Sequence, residues 1–480
     1  MNFRKKTDSK DSNQKLEEQI SGQLSGHIED NENHLKKFLS NTGDLIFRKF
    51  SAFDVSYCAV YLKTISDKSL LEEFIIKPLL ADKGLSPLDL PVPALNAYYT
   101  WEDVKNNLIN GNMILFKEGS QTAYTIDAAK FATRSVAEPS SEQSIIGTHE
   151  GFVESYEVNI GLIRKYLRTD QFVMKDLVIG DKIQKRVGIG YLGNQVDPEV
   201  VKKVEERIKN LKFEGAVITG QLKEQLQDQK RSPFPQVLNT ERPVTVAEHL
   251  STGAILVLID GVSTIYLMPA SFFAFYHAPD DAQSSFYIAS FHQCLRLFSL
   301  LLTITLAPFY ICVVAFDAEI IPVTLIANVK GSLQIIPFSP LIEALIMQIT
   351  LELLNEATIR LPKSVSPTIG VVGALVIGTA IVQANLVSNT MLIVLALTGI
   401  SSFVTPNQEM AVVIRLFIYP LLFLSNMFGL VGLAFGLTFI VFHLCSLSSF
   451  GQPYLAPLVP FKFSKKIKKI GAKVFKTKEG

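Results

Sequence analysis

The sequence predicts an α/β cytoplasmic N-terminal domain of two subdomains, followed by an all-α polytopic membrane domain with four to six spans, some of them broken or re-entrant. One basis is the uneven distribution of charge, because only seven of the 45 acidic residues follow Phe291. The other is a series of apolar runs in the later part, some as long as a bilayer core requires. One part of the chain is therefore predicted to be water-soluble and the other to lie in a membrane.

The first 140 residues divide into a polar arm and a first α/β subdomain. Residues 1–40 are too poor in apolar side chains to support a core, so we predict a disordered arm. In residues 41–140, VSYCAVYL alternates like a strand and DKSLLEEFIIKPLL repeats at helical spacing. ILFKEGSQTAYTI predicts a hairpin with Gly119 in its turn.

A second α/β subdomain is predicted over residues 150–290. Two strands are expected around Gly180, and Asp197 followed by a proline is a typical start of a helix. Asp260-Gly261 lies between two apolar runs and predicts a β-hairpin in preference to a membrane span. We therefore place the start of the membrane domain after this hairpin.

A stiff polar segment, SPFPQVLNTERP, lies within this second subdomain at residues 232–243. Proline fixes φ and pushes the residue before it into extended geometry, so three prolines make the segment a semi-rigid connector. We interpret it as a joint that couples the soluble part to the membrane part. The residues expected to form this joint are Pro233, Pro235, Asn239, Glu241, Arg242 and Pro243.

The membrane domain is predicted over residues 291–458. CLRLFSLLLTITLAPFYICVVAF carries one charge, Arg296, and is long enough to span a bilayer. The last apolar run, residues 412–446, would be about 50 Å long as one helix, against a hydrocarbon core of about 30 Å. It must therefore tilt and break or cross twice, and Pro420 and Asn426 mark the expected interruption. Further apolar runs and proline-interrupted pieces allow four or six spans in total.

Both termini are expected on the cytoplasmic side. The N-terminus has basic residues but no apolar core of the kind that a secretory signal requires. The tail, residues 459–480, is rich in lysine, which is typical of a cytoplasmic segment and favours contact with anionic lipid. The net charge of +1 gives no indication of nucleic-acid binding.

Polar residues form a stripe on the predicted helix PFSPLIEALIMQITLELLNEATIRLP, with Glu343 on the opposite side. Carboxylates at membrane depth face a bundle interior or a water path, because exposure to lipid is costly. A helix lying at the membrane interface is the alternative. The stretch GVVGALVIGTA supplies small residues for close helix packing, either within the chain or in a pore wall built by several copies. The candidate pore-lining residues are Gln348, Glu352, Asn355, Glu356, Val371, Val372, Leu375 and Val376.

The sequence shows no enzymatic motif. GIGYLG has the GxGxxG spacing of a dinucleotide site, but polar residues lead into it and Gly188 lies inside a predicted strand. A solvent-facing strand with glycine packing is therefore the better interpretation. The histidines and cysteines show no HExxH or CxxC spacing. We therefore expect no enzyme activity, no cofactor and no metal site.

Several motifs together resemble the A subunit of the spore germinant receptors, the GerA family. The match runs in family order and at family-like spacing from about Gly151 to Leu458, whereas the first 140 residues add little. The motifs are SPFPQVLNTERP, the Asp-Gly hairpin, APDD, PFSPLIEALIMQITLELLNEATIRLP, GVVGALVIG, SSFVTPN and SFGQPYLAPL.

The resemblance implies a polytopic protein of the spore inner membrane that acts with a transporter-like B subunit and a lipoprotein C subunit in sensing nutrients such as amino acids. It also implies that copies of the A subunit self-associate into a ligand-gated ion channel, while the germinant binds the B subunit. Ion release would then start germination. The joint would transmit changes of subunit packing to the membrane part.

Two departures from the family pattern bear on the pore. The family often has an acid where this chain has Gln348, and often Gln and Glu where it has Thr379 and Gln383. Glu352 and Glu356 would then have to set the cation preference, or selectivity would be weak. A transporter or permease with a substrate site at mid-membrane, and a structural scaffold for the B and C subunits, are the alternatives.

Overall fold

The computed structural model describes most of the chain between Leu24 and Val459. The described residues are 24–40, 42–82, 85–92, 94–130, 148–180, 184–211, 219–282, 284–320, 322, 331, 336–361, 376 and 378–459. The predicted lysine-rich tail, apart from Val459, and most of the stretch GVVGALVIGTA lie outside these residues.

The chain packs as two units. They are the α/β unit, Met1–Leu226 with Asn239–Pro269, and the helical unit, Gln227–Leu238 with Ala270–Gly480. The predicted joint is therefore shared between the two units. The sequence predicts that the membrane domain begins at residue 291, but the helical unit already includes Ala270. The Ala270 N–H donates to Ser449 Oγ, and the Phe272 N–H donates to the Tyr454 carbonyl, so this segment is bound to the end of the helical unit.

The first α/β subdomain is a five-stranded sheet in which every neighbouring pair is antiparallel, in the order β1-β2-β4-β5-β3. Its elements are α1 (Ile28–Phe38), β1 (Leu45–Ala52), β2 (Val55–Leu62), α2 (the successive helical segments Lys68–Leu70, Leu71–Ile76 and Lys77–Ala81), β3 (Leu95–Tyr98), α3 (Trp101–Ile109), β4 (Met113–Lys117) and β5 (Ala123–Ile126). The predicted strand VSYCAVYL is β2, and the predicted hairpin joins β4 to β5 with Gly119 at φ 81°. Both predictions are confirmed.

Both faces of this sheet are buried by helices. Cys58 and Val60 of β2 pack in one core with α1 and α3, whereas Ala59 and Tyr61 of the same strand pack in a second core with α2. Successive side chains of a strand point to opposite faces, so one apolar strand can supply both cores. The subdomain is therefore a three-layer sandwich.

The disordered arm predicted for residues 1–40 is wrong over residues 24–40, which contain α1. Ile28 and Leu35 of this helix are buried in the first core. Glu118 fixes the start of the helix, because its carboxylate accepts the Ile28 N–H at 3.0 Å. The few apolar residues of this polar stretch lie on one helical face, which a low average hydrophobicity conceals. The first 23 residues lie outside the described part of the chain.

The second α/β subdomain has strands in the order β6-β7-β9-β10-β8. Its elements are α4 (Tyr156–Tyr166), β6 (Phe172–Ile179), β7 (Lys185–Leu192), α5 (Pro198–Lys209), α6 (Thr219–Leu226), β8 (Leu238–Thr240), α7 (Pro243–Ser251), β9 (Ile255–Ile259) and β10 (Ile265–Met268). Asp197 caps α5 by accepting the Glu199 N–H, as predicted. The Asp-Gly hairpin is confirmed as the turn between β9 and β10, with Gly261 at φ 84°.

The two subdomains share one order of elements. In each, a helix is followed by a two-stranded hairpin, helical segments, a short strand, another helix and a second hairpin. The strand orders correspond as well, because β6 to β10 occupy the positions of β1 to β5 in their sheets. The α/β unit is thus built from two copies of one topology.

A buried ion pair joins the two subdomains. Arg164 of α4 donates to both oxygens of the Asp44 carboxylate at 2.7 Å, and neither side chain is more than 5% exposed. Thr42 and Thr64 donate to the same carboxylate. Burial alone would raise the pKa of Asp44, but the Arg164 charge and these hydrogen bonds hold it below its usual value.

The described residues of the helical unit form four long helices and a small terminal hairpin. They are α8 (Phe286–Ala315), α9 (Pro340–Arg360), α10 (Asn389–Phe403), α11 (Gln408–Ser446), β11 (Ser448–Ser449) and β12 (Gln452–Pro453). All four helices contribute to one apolar core. Its buried members include Ala307, Ile311, Met347, Met391, Leu395, Ile418 and Leu422.

Helix α11 is folded back on itself at Gly429, which has the non-helical angles φ 57° and ψ −142°. A Cβ atom on Gly436 would lie 2.4 Å from Leu421, although a straight helix would separate these residues by about 22 Å. The predicted break of the last apolar run is confirmed, but its position at Pro420 or Asn426 is wrong. Proline can be accommodated inside a helix, whereas the left-handed φ of this sharp turn favours glycine.

Within the described residues, α8 and α11 are long and apolar enough to cross a bilayer, and α10 is apolar but shorter. Because α11 consists of a first arm before Gly429 and a second arm after it, it could cross twice. The total of four to six spans stays a prediction, since residues 362–375 lie outside the described part of the chain.

Candidate functional site

The first half of the predicted joint is anchored to both arms of α11. The Phe234 ring stacks on Phe417 of the first arm at 5.0 Å between centroids and lies 5.9 Å from the His443 ring of the second arm. Ser232 Oγ lies 2.9 Å from His443 Nε2. A straight helix would place Phe417 and His443 about 39 Å apart. The joint therefore contacts both arms only because α11 is folded.

Residues that follow α11 bind the backbone of the same segment. The Tyr454 hydroxyl donates to the Pro235 carbonyl at 2.6 Å, and the Ser449 hydroxyl donates to the Gln236 carbonyl at 2.8 Å. Tyr454 and Gln236 are fully buried. Buried carbonyls need hydrogen-bond donors, and an irregular segment cannot obtain them from regular secondary structure. The motif SFGQPYLAPL supplies these donors and thus holds the first half of the joint in place.

The second half of the joint belongs to the α/β unit. Asn239 lies within β8, and Pro243 is the first residue of α7. The Glu241 carbonyl accepts a backbone N–H of this unit at 2.8 Å, and Arg242, which is 2% exposed, donates through Nη2 to the Thr148 carbonyl at 2.8 Å. Each half of the joint is therefore fixed within its own unit.

The residues of the polar stripe predicted on α9 differ in their environment along the helix. Gln348 is 3% exposed, whereas Glu352 is half-buried and pairs with Arg415 of the first arm of α11, with Oε2 to Nε at 2.9 Å. The Arg415 side chain is 11% exposed. Glu343, which helical spacing places on the opposite side, is fully buried.

The later part of the stripe lies at the surface of the single chain. Glu356 is exposed and pairs with Arg360 one turn further along α9, with Oε1 to Nη2 at 2.5 Å. Asn355 is half-buried. Because each carboxylate of the stripe has its own arginine, the local negative charge is smaller than the sequence alone indicates.

The small-residue span offers few described positions. Val371, Val372 and Leu375 lie outside the described residues, and Val376 is 57% exposed. A Cβ atom on Gly378 would have no neighbour within 4 Å, so this glycine makes no close helix contact within the described chain. The role of the span in a pore stays a prediction.

An ion pair that was not predicted from the sequence links the segment before α8 to the third turn of this helix. Arg296 donates to both oxygens of Asp281 at 2.6 Å and to the Tyr276 carbonyl at 3.0 Å. Burial on its own would raise the pKa of Asp281, but the Arg296 guanidinium holds it below its usual value. The APDD motif thus supplies the carboxylate that pairs with Arg296, the charged residue of the first predicted span.

The GxGxxG-like stretch is part of a β-sheet. Gly188 and Gly190 lie within β7, where a Cβ on Gly188 would come within 2.3 Å of Met174 and Tyr156 atoms, and one on Gly190 within 2.9 Å of Leu256. The predicted glycine packing in a strand is confirmed, but the strand is not solvent-facing, because Val187, Gly188, Ile189 and Gly190 are all buried. Among the described residues, no group of three or more His, Cys, Asp and Glu side chains could hold a metal ion.

Several contacts of the helical unit join residues that are distant in sequence. Arg415 and Glu352 are 63 residues apart, and Tyr454 and Pro235 are 219 residues apart. The sequence does contain a local pattern for one close contact, because Gly432 and Gly436 are four residues apart and glycines at this spacing allow helices to approach closely. A Cβ on Gly432 would lie 2.1 Å from the Leu424 carbonyl oxygen, which confirms the close approach of the two arms.

Comparison with known proteins places this chain in a family. The family model described as Bacillus/Clostridium GerA spore germination protein matches residues 33–478. Spore germination protein A1 of Bacillus subtilis (strain 168) is 33% identical over 437 residues, which is 90% of this chain and 90% of that protein. Spore germination protein KA of the same organism is 32% identical and covers 89% of this chain and 80% of that protein.

Two further similarities concern a membrane protein and a solved domain. The uncharacterized membrane protein YfkQ of Bacillus subtilis (strain 168) is 34% identical over 93% of this chain and 89% of that protein. The crystal structure of the N-terminal domain of the A subunit of the Bacillus megaterium spore germinant receptor GerK3 aligns with a TM-score of 0.41 and 22% identity, over 52% of this chain and 97% of that chain. The family model matches more than nine-tenths of this chain, so the chain belongs to the Bacillus/Clostridium GerA family of spore germination proteins.

Proposed function

We propose that this protein is the A subunit of a nutrient-sensing spore germinant receptor. The observation that carries the proposal is the family match over residues 33–478, together with relatives that are spore germination proteins at 32–33% identity. The α/β unit would lie on the cytoplasmic side and the helical unit in the spore inner membrane as a multi-pass domain, with both termini cytoplasmic. The apolar helices α8 and α11 support a membrane location.

The partners in this proposal are those that the family resemblance implies. They are a transporter-like B subunit, a lipoprotein C subunit and further copies of this chain, with anionic lipid at the lysine-rich tail. Many large apolar side chains of the four helices are exposed in the single chain, including Leu353 of α9, Ile393 and Ile400 of α10 and Phe435 of α11. Such side chains need lipid or other helices around them, which supports both membrane insertion and self-association.

We propose further that the assembled protein forms a ligand-gated ion channel. Purified protein in liposomes tests this through ion flux. We expect conductance that does not saturate with ion concentration and that admits several monovalent ions. Saturable exchange would instead show a transporter or permease, and the absence of both from an assembled, folded protein would leave a structural scaffold for the B and C subunits.

We predict that the joint transmits the activating signal. Replacing Phe234 with Ala and Pro235 with Gly removes the ring between Phe417 and His443 and loosens the backbone, since glycine has more conformational freedom than proline. We expect spores with this double variant to germinate several-fold more slowly in response to nutrients. The measurement is the rate of germination at an equal amount of protein in the spore membrane.

The matched control for this prediction is Arg231→Ala. Arg231 lies three residues before Phe234 and is exposed, so its loss should leave germination unchanged. A normal response of the Phe234 and Pro235 double variant at normal abundance would show that the joint does not transmit the signal. A loss of the protein from the membrane would assign the segment a role in assembly alone.

A further inference from the structure

A buried carboxylate lies where three helices of the helical unit meet. Glu343 is in the first turn of α9 and is fully buried, next to Ser388, the N-cap residue of α10. Its Oε1 atom accepts two hydrogen bonds from Ser388, from the backbone N–H at 2.5 Å and from the hydroxyl at 2.6 Å. Tyr310 of α8 lies beside Ser388 and Thr390 and is 8% exposed.

The hydrogen-bond directions around Ser388 are fixed by its capping role. Ser388 Oγ accepts the Met391 N–H at 3.1 Å, so the hydroxyl proton is directed to Glu343 Oε1. Oε1 is therefore an acceptor for two donors at the N-terminus of α10, which also favours negative charge at this position. Any positive partner of the carboxylate must bind at the other oxygen, Oε2.

Oε2 is left without a partner within the described part of the chain. The Oε2 atom of Glu343 is buried and has no hydrogen-bond partner, and the same is true of the Tyr310 hydroxyl. The described arginines of α8, α9 and α11 pair with other carboxylates, namely Arg296 with Asp281, Arg360 with Glu356 and Arg415 with Glu352.

A buried charge without a counter-charge is costly, so an ionised Glu343 calls for a ligand. A proton on Oε2 would also remove the charge, and the acid arm of the test below detects it. A metal cation instead accepts lone pairs from both oxygens at once. Carboxylate and hydroxyl oxygens are suitable ligands for hard cations, and a single carboxylate matches a single positive charge.

We propose that Glu343 Oε2 and the Tyr310 hydroxyl hold a partly dehydrated alkali cation, Na⁺ or K⁺, between α8, α9 and the N-terminus of α10. The carboxylate then bridges the two features, with Oε1 on the helix N-terminus and Oε2 on the cation. The bound cation fixes these three helices together. This binding requires no ion flux, so it stands or fails independently of the channel proposal.

The test is the thermal stability of the purified full chain in detergent at constant ionic strength. NaCl or KCl replaces choline chloride, whose cation is too large for a buried site. We expect the unfolding temperature to rise by roughly 2–5 °C in one alkali salt over choline, because a ligand that binds only the folded state stabilises it. The salt with the lower half-maximal concentration identifies the preferred ion.

Two variants link the effect to the site. Glu343→Gln keeps the shape and an acceptor for Ser388 but removes the charge, and it should abolish the difference between alkali and choline salts. Tyr310→Phe should raise the half-maximal cation concentration several-fold. The exposed carboxylate of Glu356 provides the control, because Glu356→Gln should respond as the unaltered protein does.

Three outcomes would overturn the proposal. One is an equal unfolding temperature of the unaltered protein in Na⁺, K⁺ and choline. Another is an undiminished alkali effect in Glu343→Gln. The third is stabilisation by acid alone, without any alkali effect, since the carboxyl group would then hold a proton. If Glu343→Gln does not fold, binding of ²²Na⁺ or ⁸⁶Rb⁺ to the other two variants provides the test. Tyr310→Phe should bind the ion more weakly than the unaltered protein, whereas Glu356→Gln should bind it equally well.

Discussion

Replacing Arg164 with Ala is expected to lower the free energy that holds the two α/β subdomains together by about 3–5 kcal/mol, because it leaves the buried Asp44 carboxylate without its counter-charge. The guanidinium also lies 5.1 Å from the centre of the Phe172 ring, so the variant loses packing in addition to charge. Few single substitutions in this chain should have a larger effect on stability, since the pair is at most 5% exposed.

Amide hydrogen exchange of the full-length protein measures this effect. Exchange should become faster in β1 and in α4, which contribute the segments around Asp44 and Arg164. The control is Lys63→Ala, which removes a partly exposed partner of Glu157 across the same two subdomains and should change exchange by much less. Equal protection in Arg164→Ala and the unaltered protein would show that the ion pair does not hold the subdomains together.

The pH dependence of this contribution has a defined direction. The pKa of Asp44 is held below its usual value, so its contribution to stability is present above the pKa of the unfolded chain, about 3.9, and is lost as the pH falls through the lower folded value. In Arg164→Ala, burial acts without the counter-charge and raises the pKa of Asp44, so protonation of this carboxylate relieves the variant as the pH falls. The difference in stability between Arg164→Ala and the unaltered protein should therefore become smaller as the pH is lowered from about 8 to about 5. A difference that stays constant over this range would show that the arginine does not act by compensating the Asp44 charge.

Local patterns in the sequence predicted most elements of the α/β unit. The alternation of VSYCAVYL, the turn at Gly119 and the cap at Asp197 each act over a few residues, so the sequence alone identifies them. Helix α1 was missed because only its buried face is apolar, and that face becomes visible only against the sheet that covers it. The correspondence between the two subdomains was also hidden, since it lies in the order of strands and not in shared motifs.

Contacts in the helical unit were harder to predict, because apolar runs indicate length but not partners. The fold of α11 was predicted from its length, yet the position of the turn depends on the φ angle that Gly429 adopts. Helical spacing placed Glu352 in the polar stripe of α9, but the arginine with which it pairs comes from another helix. The same spacing set Glu343 aside, although it is the fully buried carboxylate of this helix.

The acidic stripe of α9 gives the second prediction with a large expected effect. If Glu352 and Glu356 line an aqueous path, changing both to Gln should lower cation flux through the reconstituted protein by about tenfold, since fixed charges concentrate counter-ions at the mouth of a path. The structure adds a second cause for the same loss. Each substitution releases an arginine, Arg415 or Arg360, whose uncompensated positive charge would repel cations.

Charge-matched double variants separate these two causes. Glu352→Gln with Arg415→Gln, and Glu356→Gln with Arg360→Gln, remove each pair without changing the net charge. Recovery of most of the flux in these variants would show that the pairs act through net charge, whereas persistent loss would show that the carboxylates themselves meet the ions. If flux and ion preference are unchanged in all variants at equal protein level, the stripe lies outside the path. The path would then have to be sought along the small-residue span around Val371, Val372, Leu375 and Val376.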